Sequence, residues 1–125
     1  MVDEISKFSN VEIKGKLGHS ETINLISNAK ALINTSNYEG FPNIFLEAWA
    51  AGIPVISLNI NPGMIFSNNT LGYYCEGNYS MMKKYIESFQ VDTFNRIMMK
   101  QFVSDFHAIE KSASLFEAII NDSEM

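Results

Sequence analysis

A 36-residue segment, from Gly40 to Cys75, constrains this chain most, because Glu47 is the only Asp, Glu, Lys or Arg within it. A segment so poor in charge is typical of the interior of a folded domain, since charged residues stay mostly at the surface. Burying a carboxylate costs on the order of several kcal/mol unless it is paired or hydrogen-bonded. Glu47 is therefore expected either to reach solvent or to meet a polar partner.

The size and charge of the chain exclude several classes of protein. Its 125 residues, of which 46% are hydrophobic and 18% charged, suit one domain with one core. A net charge of −5 and scattered basic residues argue against binding of nucleic acid. Cys75 is the only cysteine, which excludes an intrachain disulfide and a Cys-based zinc site. The charged N-terminal residues show no signal peptide, so we expect a cytoplasmic protein.

Strand and helix signals alternate through the first 77 residues. Val11–Leu17 alternates between apolar and polar residues, which predicts a half-buried edge strand. Further predicted elements are a helix of about eight residues from Ser20, a buried strand at Ala31–Ile33, a helix from Asn43 to about Ala51 ended by Gly52, a buried strand at Pro54–Leu58, and a short strand at Tyr73–Cys75. Strands separated by helices predict an α/β, Rossmann-like, mostly parallel sheet of about four strands.

The C-terminal third is predicted to be helical. Helical periodicity runs through Asn78–Phe89, Thr93 to about Asp105, and Ala108–Ile120, with His107 at a helix break in a surface or capping role. We therefore expect one domain over residues 1–125, with a βαβ part at 1–77 and a helical tail at 78–125.

The loop from Ser36 to Pro42 is the candidate site, because it leaves the carboxyl end of a predicted strand and enters a helix. The N-terminus of that helix attracts phosphate, and Gly40 allows close approach of a ligand to the backbone. Glu39 and Glu47 are suited to accept hydrogen bonds from sugar or ribose hydroxyls. These residues predict a nucleotide or sugar-phosphate site. In the competing interpretation, Glu47 lies on the solvent stripe of the helix, and the buried face consists of Ile44, Ala48 and Ala51.

The stretch SNYEGFPNIFLEAWAAGIPV resembles the donor-binding signature of retaining glycosyltransferases with the GT-B fold, often called group 1 or family 4. Their E-x7-E motif matches Glu39 and Glu47. Upstream, VEIKGKL, the next helix and NAKALINTS resemble the strand–helix–strand that leads to this motif. Downstream, SLNINPG, LGYYCEG and FHAIEK resemble the tail of members that build bacterial capsular or surface polysaccharides. The resemblance covers nearly the whole chain.

The resemblance implies a role for each matching position. Glu39 would contact the donor sugar and steady charge during catalysis, and Glu47 would accept hydrogen bonds from the ribose. The implied donor-binding set is Glu39, Gly40, Phe41, Pro42, Asn43, Ile44 and Glu47. Residues expected near the base are Gly15, Lys16, Leu17 and His19. The donor would be a UDP- or GDP-linked sugar, with no metal and no further cofactor.

Family members have two Rossmann-like domains, and this chain is similar only to the later part of the second. An N-terminal acceptor domain or a partner chain would be needed, so the isolated chain is expected to be inactive. In the family's strand order, 3-2-1-4-5-6, Val11–Leu17 would be the third strand and Ala31–Ile33 the fourth. Without strands one and two, these two would either pair directly or associate with a second copy through their exposed edges.

The expected function is transfer of a hexose, with retention, to a polysaccharide or lipid-linked acceptor. The full-length enzyme would lie in the cytoplasm, at the periphery of the inner membrane. Three alternatives remain open: a non-catalytic interaction module, one half of a split enzyme, and a nucleotide-sugar epimerase or phosphorylase-like enzyme of the same fold.

Overall fold

The computed structural model describes residues 8–37, 40, 42–67, 69–90 and 93–123, with side chains described up to residue 111. The elements are α1 (His19–Ser27), β1 (Leu32–Asn34), α2 (Asn43–Ala50), β2 (Val55–Ser57), β3 (Gly72–Tyr74), α3 (Tyr79–Glu87) and α4 (Arg96–Ser123). A 3-10 turn, Pro62–Met64, lies between β2 and β3. The predicted α/β fold with a helical C-terminal third is confirmed.

The sheet consists of three parallel strands in the order β1–β2–β3 within the described residues. In its register, Ile56 of β2 lies opposite Ile33 of β1 and Tyr73 of β3. All residues of β2 are buried, which explains why Pro54–Leu58 contains almost only apolar residues. The strand predicted at Ala31–Ile33 forms at the edge and is less buried than predicted, because only one side has a neighbour. Ile33 remains 48% exposed.

The strand predicted at Val11–Leu17 is wrong. Residues 11–17 pair with no strand in the described part of the chain, and Val11 and Ile13 are 41% and 47% exposed. Gly15 has a φ of +67°, outside the extended region. An alternating pattern forms a strand only where a neighbour takes up its backbone hydrogen bonds, and β1 pairs with β2 alone. The sheet therefore has three strands instead of about four, and the two expected edge strands do not pair directly.

The sequence predicts the bounds of α2 closely. Pro42 precedes the helix with φ −67° and ψ 123°. Beyond its C-terminus, Gly52 has a φ of +76° and donates its N–H to the carbonyl of Trp49 at 2.9 Å. Ile53 donates to the carbonyl of Ala48 at 2.8 Å. These two bonds form a Schellman motif, which confirms Gly52 as the residue that ends the helix.

Aromatic contacts anchor α2 in the core. Phe45 and Trp49 are fully buried with ring centroids 5.7 Å apart, and Phe66 meets both edge-on, at 6.0 and 5.9 Å. The indole Nε1 of Trp49 donates to the carbonyl of Leu71 at 2.8 Å, which satisfies the polar atom of a buried side chain. These contacts fix the rotation of α2 about its axis, and with it the direction in which Glu47 leaves the helix.

A single long helix, α4, replaces the last two predicted helices, Thr93 to about Asp105 and Ala108–Ile120. α4 is continuous from Arg96 to Ser123, so the predicted break at His107 is wrong. Neither Gly nor Pro occurs in this range, and nothing else in the sequence stops the helix. α4 packs on α2, where the rings of Trp49 and Phe102 lie 5.4 Å apart. The division of the domain at residue 77 stays a prediction.

Candidate functional site

The carboxyl ends of the three parallel strands meet at one edge of the sheet, and Asn59 joins two of the loops there. Its Nδ2 lies 3.4 Å from the carbonyl oxygen of Thr35, 3.2 Å from that of Ser36, and 3.1 Å from Oδ1 of Asn37. One amide after β2 thus holds the loop that follows β1 and leads towards residue 39. Sequence reasoning missed Asn59, because these contacts join residues 22 to 24 positions apart.

α2 presents its N-terminus at the same edge. Pro42 precedes the first turn, and no described side chain caps the helix. The first N–H groups of an α-helix have no partner within the helix and carry its partial positive charge. Pro42 is buried, Ile44 is half-buried, and Asn43 is exposed. A helix end that attracts anions therefore reaches the surface at Asn43.

Glu47 lies in the second turn of α2 with its side chain 26% exposed. Its Oε1 is 3.6 Å from Nδ1 of His19, the first residue of α1. The buried face of α2 consists of Phe45, Ala48 and Trp49, and Glu47 lies at its border. The carboxylate is therefore neither fully in solvent nor alone in the core, since an imidazole lies beside it.

A groove of about 270 Å³ runs beside Glu47, between α2 and α4. It is lined by Asn43, Leu46, Glu47, Ala50, Val103 and His107. Sequence reasoning missed His107 here because it placed a helix break at this residue. The available signal was the four-residue spacing of Val103 and His107, which puts both on one face of a continuous helix. His107 also lies 3.6 Å, from Nδ1 to Oε2, from Glu110.

The other predicted site residues fall into three groups. Glu39 and Phe41 lie outside the described residues. Gly40 is exposed, and a Cβ there would meet no heavy atom within 4 Å, so the space beside its backbone is open. Of the four residues expected near the base, His19 contacts Glu47. The others make no described ion pair or hydrogen bond to that carboxylate: Gly15, Lys16 and Leu17.

No three His, Cys, Asp or Glu side chains among the described residues come together as ligands for a metal ion. No helix among these residues has both the length and the apolar character to cross a membrane. Cys75 is fully buried, and burial raises the pKa of its thiol, which keeps it protonated at neutral pH.

Comparison with protein families identifies a match that covers most of the chain. The family model described as "Glycosyl transferases group 1" matches residues 3–105, which is most of the chain. The match contains the whole sheet, α2 with Glu47, and His19, and His107 lies just beyond it. Comparisons with curated proteins and with solved structures found no match. The chain therefore belongs to the group 1 glycosyltransferases, a family of enzymes that transfer sugars.

Proposed function

We propose that this chain is the nucleotide-sugar-binding part of a retaining glycosyltransferase of the GT-B fold. One observation carries the proposal: Glu47 lines an open groove one turn beyond an uncapped helix N-terminus at the carboxyl edge of a parallel sheet. The helix end suits a diphosphate, and the carboxylate suits ribose hydroxyls. Because both belong to one short helix anchored in the core, their spacing is fixed before the donor arrives.

In the proposed complex, the donor lies along the first two turns of α2. The N–H groups of Asn43 and Ile44 donate to phosphate oxygens, and the ribose hydroxyls donate to Glu47. His19 orients this carboxylate from the side on which the base is expected. Glu39 accepts hydrogen bonds from the sugar and stabilises positive charge at the anomeric carbon while its bond to the diphosphate breaks. The oxygen of the acceptor hydroxyl then bonds to the same face of that carbon, and its proton passes to the departing diphosphate.

The resemblance of the flanking segments supports the finer part of the proposal. The donor is a UDP- or GDP-linked hexose, the acceptor is a growing polysaccharide or a lipid-linked sugar, and the step needs no metal. The enzyme works in the cytoplasm, at the periphery of the inner membrane. These 125 residues bind the donor without turnover, because an N-terminal acceptor domain or a partner chain has to hold the acceptor.

Ligand-observed NMR with UDP, GDP and their glucose and mannose conjugates tests the donor site. Glu47→Gln removes the charge with little change of shape, and we expect it to weaken nucleotide binding about tenfold, the value of a charge-assisted hydrogen bond. Glu21→Gln is the control, because Glu21 is an exposed carboxylate of α1 that does not line the groove. Absence of nucleotide binding to the unaltered chain, or equal binding to Glu47→Gln, would contradict the proposal.

The outer edge of β1 favours a second candidate, a module that binds another chain. β1 pairs only with β2 in the described sheet, and Ile33 on it is 48% exposed. An unpaired strand edge is a template for association with a second chain. In this candidate, the chain is an interaction module or one half of a split enzyme, and it shields the edge with a partner or a second copy.

A further inference from the structure

A second cavity, of about 580 Å³, lies at the carboxyl ends of β2 and β3. Its polar lining consists of Asn59, Asn61, Ser67, Asn69, Tyr74 and Glu76, and it shares no residue with the groove beside Glu47. Parallel sheets bind ligands at this edge, beyond the carboxyl ends of the strands. Neither the E-x7-E motif nor the proposed donor site assigns a function to this cavity.

Unusual backbone conformations concentrate around this cavity. Within the described residues, three non-glycine residues have left-handed backbone: Met64, Asn69 and Glu76, with φ of 58°, 57° and 54°. All three line this cavity. Side chains disfavour this conformation, most of all those larger than Asn or Asp, and such residues are concentrated at functional sites. Maintaining three of them around one cavity indicates that the positions of these side chains matter.

The lining is suited to a neutral sugar ring. The side chains of Ser67, Asn69, Tyr74 and Glu76 make no hydrogen bond within the described part of the chain, so their donors and acceptors remain available. The lining contains neither Lys nor Arg, which argues against a phosphate or another anion. Hydroxyl, amide and carboxylate groups match the hydroxyls of a sugar, and aromatic and thioether surface matches its C–H groups.

Asn59 connects the cavity to the loop that leads to the proposed donor residues. Asn59 lines the cavity, and its amide donates to the loop at Thr35, Ser36 and Asn37. A sugar bound there would therefore lie one side chain, that of Asn59, away from the loop that leads to the proposed donor residues. We propose that this cavity is a subsite for a neutral hexopyranose ring, either the donor's own sugar or a sugar of the acceptor. Its place in catalysis rests on the proposed function, but its binding of a sugar does not.

Saturation-transfer NMR of the chain with the methyl glycosides of glucose, galactose and N-acetylglucosamine tests the subsite. Asn69→Gly and Glu76→Gly each remove a polar side chain at a position where glycine adopts the backbone conformation without strain, so both variants should fold. We expect at least one glycoside to bind, and each variant to weaken it about three- to tenfold, the effect of one lost hydrogen bond. The control, Glu12→Gly, removes an exposed carboxylate that does not line the cavity and should change nothing.

Two results would overturn the subsite. Either no glycoside binds the unaltered chain at millimolar concentration, or both glycine variants bind the glycoside as tightly as the unaltered chain does. Saturating UDP-glucose identifies the source of the sugar. Displacement of the glycoside assigns the cavity to the donor's sugar, and retention assigns it to the acceptor. Nucleotide binding to Glu47→Gln, measured in parallel, separates this proposal from the donor site. Sugar binding without nucleotide binding refutes only the donor site, and the reverse refutes only the subsite.

Discussion

Ser57 is a polar residue that ends the central strand, β2, inside the core. It is the one buried residue with a hydroxyl, amide or charged side chain in the described part of the chain. Its Oγ donates to the carbonyl of Ile60 at 2.7 Å and accepts from the N–H of the same residue at 3.1 Å. The hydroxyl therefore closes the turn that carries Asn59, and so supports the amide that holds the loop after β1.

Replacing Ser57 tests this closure. Ser57→Ala leaves both backbone groups of Ile60 without this partner, and we expect it to lower the free energy of unfolding by about 1–3 kcal/mol. The matched control is Ser27→Ala, since the exposed Ser27 also donates to a backbone carbonyl, that of Asn24, at 2.9 Å. Water replaces that bond, and the expected change is within about 0.5 kcal/mol. Urea unfolding measures both, and equal losses would disprove the role given to burial.

Glycine at position 72 is required for the pairing of β2 with β3. A Cβ added there would lie 1.8 Å from the carbonyl oxygen of Val55, and the residue has a φ of +133°. We expect Gly72→Ala to lower the free energy of unfolding by about 3 kcal/mol or more, because the strands would have to separate. Gly18→Ala is the control, since no heavy atom lies within 4 Å of a Cβ at that position. Circular dichroism melts compare the two, and similar melting temperatures would contradict the expectation.

The elements that sequence predicts well are those with local signals. Pro42 before α2 and Gly52 after it act on neighbouring residues, and the apolar run of β2 reports burial on both faces. The strand predicted at Val11–Leu17 fails because pairing needs a partner elsewhere in the chain, which a period of two does not reveal. The break predicted at His107 fails because helical propensity alone rarely specifies an end without Gly or Pro.

The candidate site likewise contains residues that local sequence predicts and contacts between elements that it does not predict. The helix end and Glu47 follow from a motif and its spacing within about ten residues of sequence. His19 beside Glu47 was expected only as a contact of the base, and Asn59 was not expected at all. Each of these contacts joins two elements, and its geometry depends on how the elements pack.

At the scale of the whole molecule, the outer edge of β1 has no neighbouring strand in the described sheet. We expect the chain to self-associate as its concentration rises, and Ile33→Lys to weaken this about tenfold or more, because a lysine on an edge strand opposes further pairing. Ile86→Lys is a control of similar exposure, 43% against 48%, on α3. Size-exclusion chromatography with light scattering measures the mass. A monomer at all concentrations would refute association through this edge.

Trp49 gives the molecule a spectroscopic reporter of its own. It is the only tryptophan in the chain, it is fully buried, and it donates to the carbonyl of Leu71. All indole fluorescence therefore originates from one position in the core, shielded from water and from dissolved quenchers. Because that position is two residues from Glu47 on the same helix, a shift in emission on adding a nucleotide would report movement of α2 without any label.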